Sequence, residues 1–172
     1  QILKEVFKLT RSTIPTNIEI KQDIQSNCGL IMADPTQIHQ VAMNLITNAY
    51  HAVQSSGGSI LVTLKESDLK RDNLQGQYAV MTISDTGQGI DPAMVDKIFE
   101  PYYTTKKIGK GTGLGLAVVY GIIKEHGGDI KVETAFGKGA TFKVYLPLME
   151  KQFEVKPVKK ESVHPTGHEN IL

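Results

Sequence analysis

Five stretches of this chain alternate apolar and polar residues with a period of two, and one long helical stretch falls between the first and the second of them. The five are NIEIKQDI (Asn17 to Ile24), SILVTLKE (Ser59 to Glu66), YAVMTISD (Tyr78 to Asp85), GDIKVET (from Gly128) and ATFKVYLP (from Ala140). That period sends successive side chains to opposite faces of a strand, so each reads as half-buried β-structure. The long helix opens at DPTQ, where Asp34 suits the cap, Pro35 the first helical position, and Gln37 stands three residues after the cap. It stops near Gly57 and Gly58. A second helix is expected over Leu114 to His126. The order strand, long helix, two strands, loop, helix, two strands predicts an α/β layer with helices on one face of a mixed sheet. A doubly wound parallel fold would alternate more strictly.

Composition narrows the partners. The chain has 172 residues, 40% of them hydrophobic and 22% charged, enough for one domain and its edges. Nineteen lysines and arginines face 18 acidic residues, a net charge of +1 that gives no basic field for a polyanion, and nucleic acid is disfavoured. Cys28 stands alone, which excludes an internal disulfide and suits a reducing, cytoplasmic setting. No apolar run approaches membrane-spanning length, so no membrane contact is expected from this segment. Ile2, Leu3, Val6, Phe7 and Leu9 recur with helical spacing until Pro15, as the tail of an upstream helical segment would. Beyond Leu148 the chain turns polar and lysine-rich, with two prolines, and reads as a linker.

Three polar constellations interrupt this pattern. In NLITNAYHA, Ile38, Val41, Leu45, Ala49 and Ala52 make the helix's core stripe, while Asn44 and Asn48 stack one turn apart along its edge. Taken alone, the two amides fit solvated side chains as well as an oxygen ligand for Mg²⁺. In SDTGQGID, Asp85 ends a buried strand and is followed by Gly87 and Gly89. That is either a tight turn with an Asx hydrogen bond or an acceptor that a ligand can reach because glycine has no side chain. Asp91 before Pro92 reads as an ordinary helix cap. In IFEPYYTTKKIGKGTGLGL, hydroxyls and lysines run into glycines at a helix start, where backbone N–H groups and the helix dipole favour an anion.

Counting removes two familiar phosphate motifs. The glycines do not satisfy G-x-G-x-x-G, because Leu114 or Leu116 falls on the last position. Nor do they satisfy G-x-x-x-x-G-K-[ST], because Lys110 is followed by Gly111 and Lys138 by Gly139. Taken in order, however, NLITNAYHA, DTGQGI, FEPYYTTK, GTGLGL and FGKGATF resemble the N box, first glycine box, F box, second glycine box and third glycine box of the catalytic, ATP-binding domain of sensor histidine kinases. The match covers about Thr16 to Leu148, and five motifs in order are specific where each alone is not.

The resemblance implies a Bergerat fold: a two-layer sandwich with a left-handed crossover, a mixed, mostly antiparallel five-stranded sheet, and three main helices on one face. It implies ATP and Mg²⁺ as ligands. Asn48 matches the Mg²⁺-binding asparagine, Asn44 would lie beside the phosphates, and Tyr50 and His51 near the nucleotide. Asp85 matches the acceptor of the adenine amino group, Gly87 and Gly89 let the base approach, and Ile90 would join the apolar wall. Thr104, Thr105, Lys106 and Lys110 fall in the ATP lid, with Lys106 a candidate catalytic cation. Gly111, Thr112, Gly113, Leu114, Gly115 and Leu116 supply the phosphate cradle, and Thr141 is a candidate for a water-mediated adenine contact, with Ala140 replacing a hydroxyl residue often found beside it. In hydrolysing relatives a glutamate stands where Asn44 does; an asparagine cannot serve as general base, so transfer to a protein side chain is expected over hydrolysis.

No segment resembles the phosphoacceptor helix. The resemblance therefore divides the chain into the end of an upstream dimerisation and phosphoacceptor domain or a connector (1–13), the ATP-binding kinase domain (14–149), and a linker whose GHENIL resembles the approach to a receiver domain (150–172). The parent would be a homodimeric, hybrid kinase, its partners its own phosphoacceptor domain and a response-regulator receiver. The alternatives are an ATP-binding switch without transfer, or a serine kinase or ATPase of the same superfamily.

Overall fold

The computed structural model describes residues 2–71, 74–103 and 112–149. Helix α1 (Ile2–Thr13) buries Leu3, Val6, Phe7 and Thr10. The buried Thr10 hydroxyl is satisfied within the helix, donating to the Val6 carbonyl at 3.0 Å. Ser12 and Thr13 both donate to the Leu9 carbonyl, at 2.7 and 3.1 Å, closing the last turn before Pro15. The apolar stripe of α1 joins the one core that α2 also faces.

Strand β1 (Ile18–Ile24) leads to helix α2 (Pro35–Val53). The Asp34 carboxylate accepts the Thr36 amide at 2.7 Å, as a capping residue should. Gln37 does not reach back to complete a capping box. Its amide turns to Glu125, 3.5 Å away, and the Asp34 N–H donates instead to His126 Nε2 at 3.2 Å. A partner from another helix has taken the role that a local side chain would otherwise fill.

Strands β2 (Gly58–Arg71) and β3 (Leu74–Asp85) are longer than the alternation predicts. They pair antiparallel out to Arg71 opposite Leu74. The added length carries few apolar residues, but Leu69, Leu74 and Tyr78 gather with Tyr145 into a small separate cluster. Its members share the strand parity of Ser84 and Thr141, opposite to that of the main core. A short 3-10 helix (Pro92–Lys97) follows, capped by Asp91, whose side chain accepts from Ala93 at 2.9 Å. Helix α3 (Gly115–Glu125), β4 (Asp129–Thr134) and β5 (Ala140–Pro147) complete the described elements.

The sheet order is β1-β2-β3-β5-β4, with β1 and β2 parallel and every other pair antiparallel. This is the mixed, mostly antiparallel five-stranded sheet expected. Residues of one parity, such as Ile60, Val62, Met81, Ile83, Phe142 and Val144, meet the helices. Among the described residues no helix is long and apolar enough to cross a membrane.

The packing of α1 predicts unequal costs along its length. Phe7 is 6% exposed and Leu9 is 51% exposed. Phe7→Ala should destabilise the domain by about 3 kcal/mol, the range for emptying an aromatic site in a core, and Leu9→Ala by less than about 0.5 kcal/mol. Urea unfolding of both variants checks this; equal, small losses would show that α1 is not part of the core.

Candidate functional site

The edge of α2, the end of β3, the start of α3 and the β4–β5 turn surround a cavity of about 590 Å³. From α2 come Asn44, Asn48 and His51, spaced so that all three fall on one side of the helix. The Asn44 amide donates to the Gly115 carbonyl at 3.4 Å, linking α2 to the first turn of α3. Among the described residues no group of three or more His, Cys, Asp or Glu is arranged to hold a metal ion. The oxygens that α2 offers are amide oxygens, which suit a hard cation that draws its other ligands from water and phosphate.

Asp85, only 6% exposed, sits at the end of β3. Its Oδ1 accepts the Gly87 N–H at 2.9 Å and the Ala140 N–H at 3.4 Å. Burial pushes the carboxyl above its ordinary pKa, and the two backbone hydrogen bonds oppose that rise. Oδ2 receives no bond from the described residues and belongs to a side chain that lines the cavity.

Glycine makes this arrangement possible where backbones touch. At Gly139 (φ +84°) a Cβ would lie 1.9 Å from the Asp85 carbonyl oxygen, and at Gly89 (φ +70°) 2.2 Å from that of Ala135. The β4–β5 turn is thus pressed onto the loop after β3. Hydrogen bonds fasten it: Gly137 N–H to the Gln88 carbonyl at 2.7 Å, Ile90 N–H to Thr134 Oγ1 at 2.9 Å, and Thr134 Oγ1–H to the Gly139 carbonyl at 2.9 Å. Thr134 was not singled out by motif, because its role depends on β4 lying beside β5.

At the opposite side of the cavity Tyr102 N–H donates to the Gly113 carbonyl at 3.0 Å, and a Cβ at Gly113 would lie 2.5 Å from the Tyr102 carbonyl carbon. The Leu114 N–H donates to Thr112 Oγ1 at 3.3 Å, and the Leu114 side chain itself offers the first turn of α3 no capping hydrogen bond.

Of the residues predicted from sequence, Asn44, Asn48, His51, Asp85, Gly89 and Ile90 line the cavity, as do Thr112, Gly113, Gly115 and Leu116. Gly87 lies behind them: it binds Asp85, and a Cβ there would lie 2.5 Å from the Ala52 carbonyl oxygen. Leu114 is the N-cap of α3 and does not line the cavity. Tyr50 is not a lining residue either; it packs on the core, with its ring 5.6 Å from that of His51. Thr141 is not among the lining residues. Its hydroxyl bonds to Ser84 at 2.7 Å on the sheet face away from the helices, whereas Ala140 and Phe142 line the cavity. Thr104, Thr105, Lys106, Lys110 and Gly111 lie outside the described residues. Sequence reasoning missed Met94, Ile98 and Phe142, which with Ile90 give the cavity its apolar wall, and Phe136 at its opening.

Residues 33–150 match the family described as histidine kinase-, DNA gyrase B-, and HSP90-like ATPase. The sensor kinase CckA of Brucella abortus (strain 2308) is 41% identical over 165 residues, which cover 91% of this chain and 18% of that protein. The sensor histidine kinase ZraS of Salmonella typhi is 47% identical over 135 residues, covering 78% of this chain and 27% of that protein. The chain therefore spans less than a third of either relative. The catalytic domain of the histidine kinase ThkA superposes with a TM-score of 0.69 at 32% identity, over 86% of this chain and 92% of that one. Full-length ShkA in complex with AMPPNP gives a TM-score of 0.69 at 28% identity, over 86% of this chain and 29% of that one. The chain belongs to the histidine kinase-, DNA gyrase B-, and HSP90-like ATPase family, and its counterparts there are the catalytic domains of sensor histidine kinases.

Proposed function

We propose that this domain binds ATP with Mg²⁺ and transfers the γ-phosphoryl group to a histidine on a dimerisation domain of a longer protein. The observation that carries the reading is the convergence on one cavity of a buried carboxylate, two amides one helical turn apart, and an uncapped helix N-terminus. The complex of ShkA with AMPPNP supports nucleotide binding in a relative of the same fold.

Asp85 selects the base. Oδ1 is committed to the chain's own amides, so Oδ2 accepts the exocyclic amino group of adenine; guanine presents an acceptor there and is rejected. Ile90 and its apolar neighbours take the ring. The N–H groups at the start of α3 and the Asn44 amide lie along the phosphates, where the helix dipole adds attraction. Asn48 holds the Mg²⁺ through its amide oxygen. When bound, the ion offsets phosphate charge during in-line transfer. Lys106 and Lys110, with Thr104, Thr105 and Gly111, complete the lid. The position one turn before Asn48 holds an amide rather than a carboxylate, so water is not activated there and ATP persists until the acceptor histidine arrives. Residues 1–13 connect to that acceptor domain, and residues 150–172 lead toward a receiver domain.

Asn48→Ala should retain the wild-type melting temperature yet lose Mg²⁺-dependent phosphorylation of an added dimerisation domain by about 100-fold or more, the scale on which such an ion assists transfer. The product is an acid-labile, base-stable phosphoryl group, and full activity in the variant removes the metal role from Asn48.

Asp85→Asn separates stability from binding. Burial raises the carboxyl's pKa above that of the unfolded chain. Its contribution to stability is therefore fully present below the unfolded pKa and is lost as pH rises through the folded one. The asparagine keeps Oδ1 for Gly87 and Ala140 and carries no charge. The nucleotide-free variant should melt at or above the wild-type temperature at pH 7. Its Nδ2 would face the adenine amino group donor to donor, lowering ADP affinity by about 10- to 100-fold, the loss for an unpaired buried polar group. Unchanged ADP affinity by calorimetry would remove Asp85 as the base reader.

A further inference from the structure

Phe136 lies within the turn between β4 and β5, and at 75% exposure it leaves most of its ring in water, yet it lines the opening of the cavity. A single exposed apolar side chain is common and needs no explanation by itself. This one stands on a turn that is unusually well fixed. Gly137 N–H holds the Gln88 carbonyl at 2.7 Å, Lys138 N–H holds the Ala135 carbonyl at 2.9 Å, and Thr134 ties Ile90 to Gly139. Gly139 and Gly89 permit backbone contacts that any side chain would prevent. The Cα of Phe136 is thereby set at a constant place relative to Asp85, and the freedom that remains is rotation of its side chain.

The fastening links three features. Asp85 addresses the amino edge of a planar base, Ile90, Met94 and Phe142 supply apolar wall, and Phe136 stands at the open rim. We infer that Phe136 is a base-binding residue that folds over the exposed face of a bound adenine and stacks on it, closing the base pocket. Stacking tolerates small errors of angle, and an aromatic face adds affinity to any purine it covers. The inference rests on the reading of Asp85 as the adenine acceptor, and it concerns the base alone. Phosphate and metal binding lie toward α2 and α3 and do not involve this ring.

The test uses the full chain, ADP as nucleotide probe and Mg²⁺-tripolyphosphate as a probe without a base. Phe136→Ala should weaken ADP binding by about tenfold, within the span that base stacking commands. Tripolyphosphate affinity and the melting temperature of the nucleotide-free protein should not change. Phe136→Tyr should bind ADP within about twofold of wild type, because the stacking face is kept. The chain contains no tryptophan, so Phe136→Trp supplies a unique indole. Its fluorescence should be quenched as ADP saturates the site and remain constant with tripolyphosphate. Asp85→Asn serves as the reference. If it weakens ADP binding while Phe136→Ala does not, the stacking role is overturned and the base site stands; if neither variant changes ADP affinity, the base site itself is wrong. A loss of ADP and tripolyphosphate affinity in equal measure in Phe136→Ala would also overturn the proposal.

Discussion

The two backbone hydrogen bonds to Asp85 Oδ1 hold together parts of the chain that would otherwise have no reason to meet. Gly87 is two residues away and Ala140 is 55 residues away. A carboxylate buried at the end of β3 is costly by itself, and the amides lessen that cost while fixing its orientation. The sheet order makes the bonds possible, because β5 is inserted between β3 and β4 and brings Ala140 beside Asp85. The turn that precedes β5 then has no choice but to lie on the loop that follows β3, and Gly89 and Gly139 are what that contact requires.

Much of this was legible in the residues. The period-two stretches located all five strands, and the stripe on α2 placed Asn44 and Asn48 at the border of the core. The ends of β2 and β3 were not legible, because SDLKRDNLQGQ has too few apolar residues to show a period. Those strands extend because each supplies the other's backbone partners and because Leu69 and Leu74 find Tyr78 and Tyr145. The places of Thr141 and Tyr50 follow from spacing alone. Ala140 has the parity of Phe142, so Thr141 had to point to the other face, and Tyr50 lies well around α2 from the line through Asn44, Asn48 and His51.

Other features could not be read locally. His126 follows the last residue of α3, and its Nδ1 bonds to the Ile122 carbonyl at 2.8 Å. Its other nitrogen accepts the Asp34 N–H, which no pattern in either segment signals. The two bonds together require the tautomer with the proton on Nδ1. The apolar wall escaped notice for a related reason: Met94 and Ile98 belong to one short 3-10 segment and Phe142 to β5, and only the fold brings them to one cavity.

That imidazole has a mechanical consequence. Helices α2 and α3 run antiparallel, joined where His126 at the end of α3 meets Asp34 at the start of α2, and where Asn44, midway along α2, meets Gly115 at the start of α3. Two ties at opposite ends of α3 oppose splaying of the pair along that length. The floor on which the triphosphate is proposed to lie is therefore built before any ligand arrives, and little conformational entropy is lost there on binding.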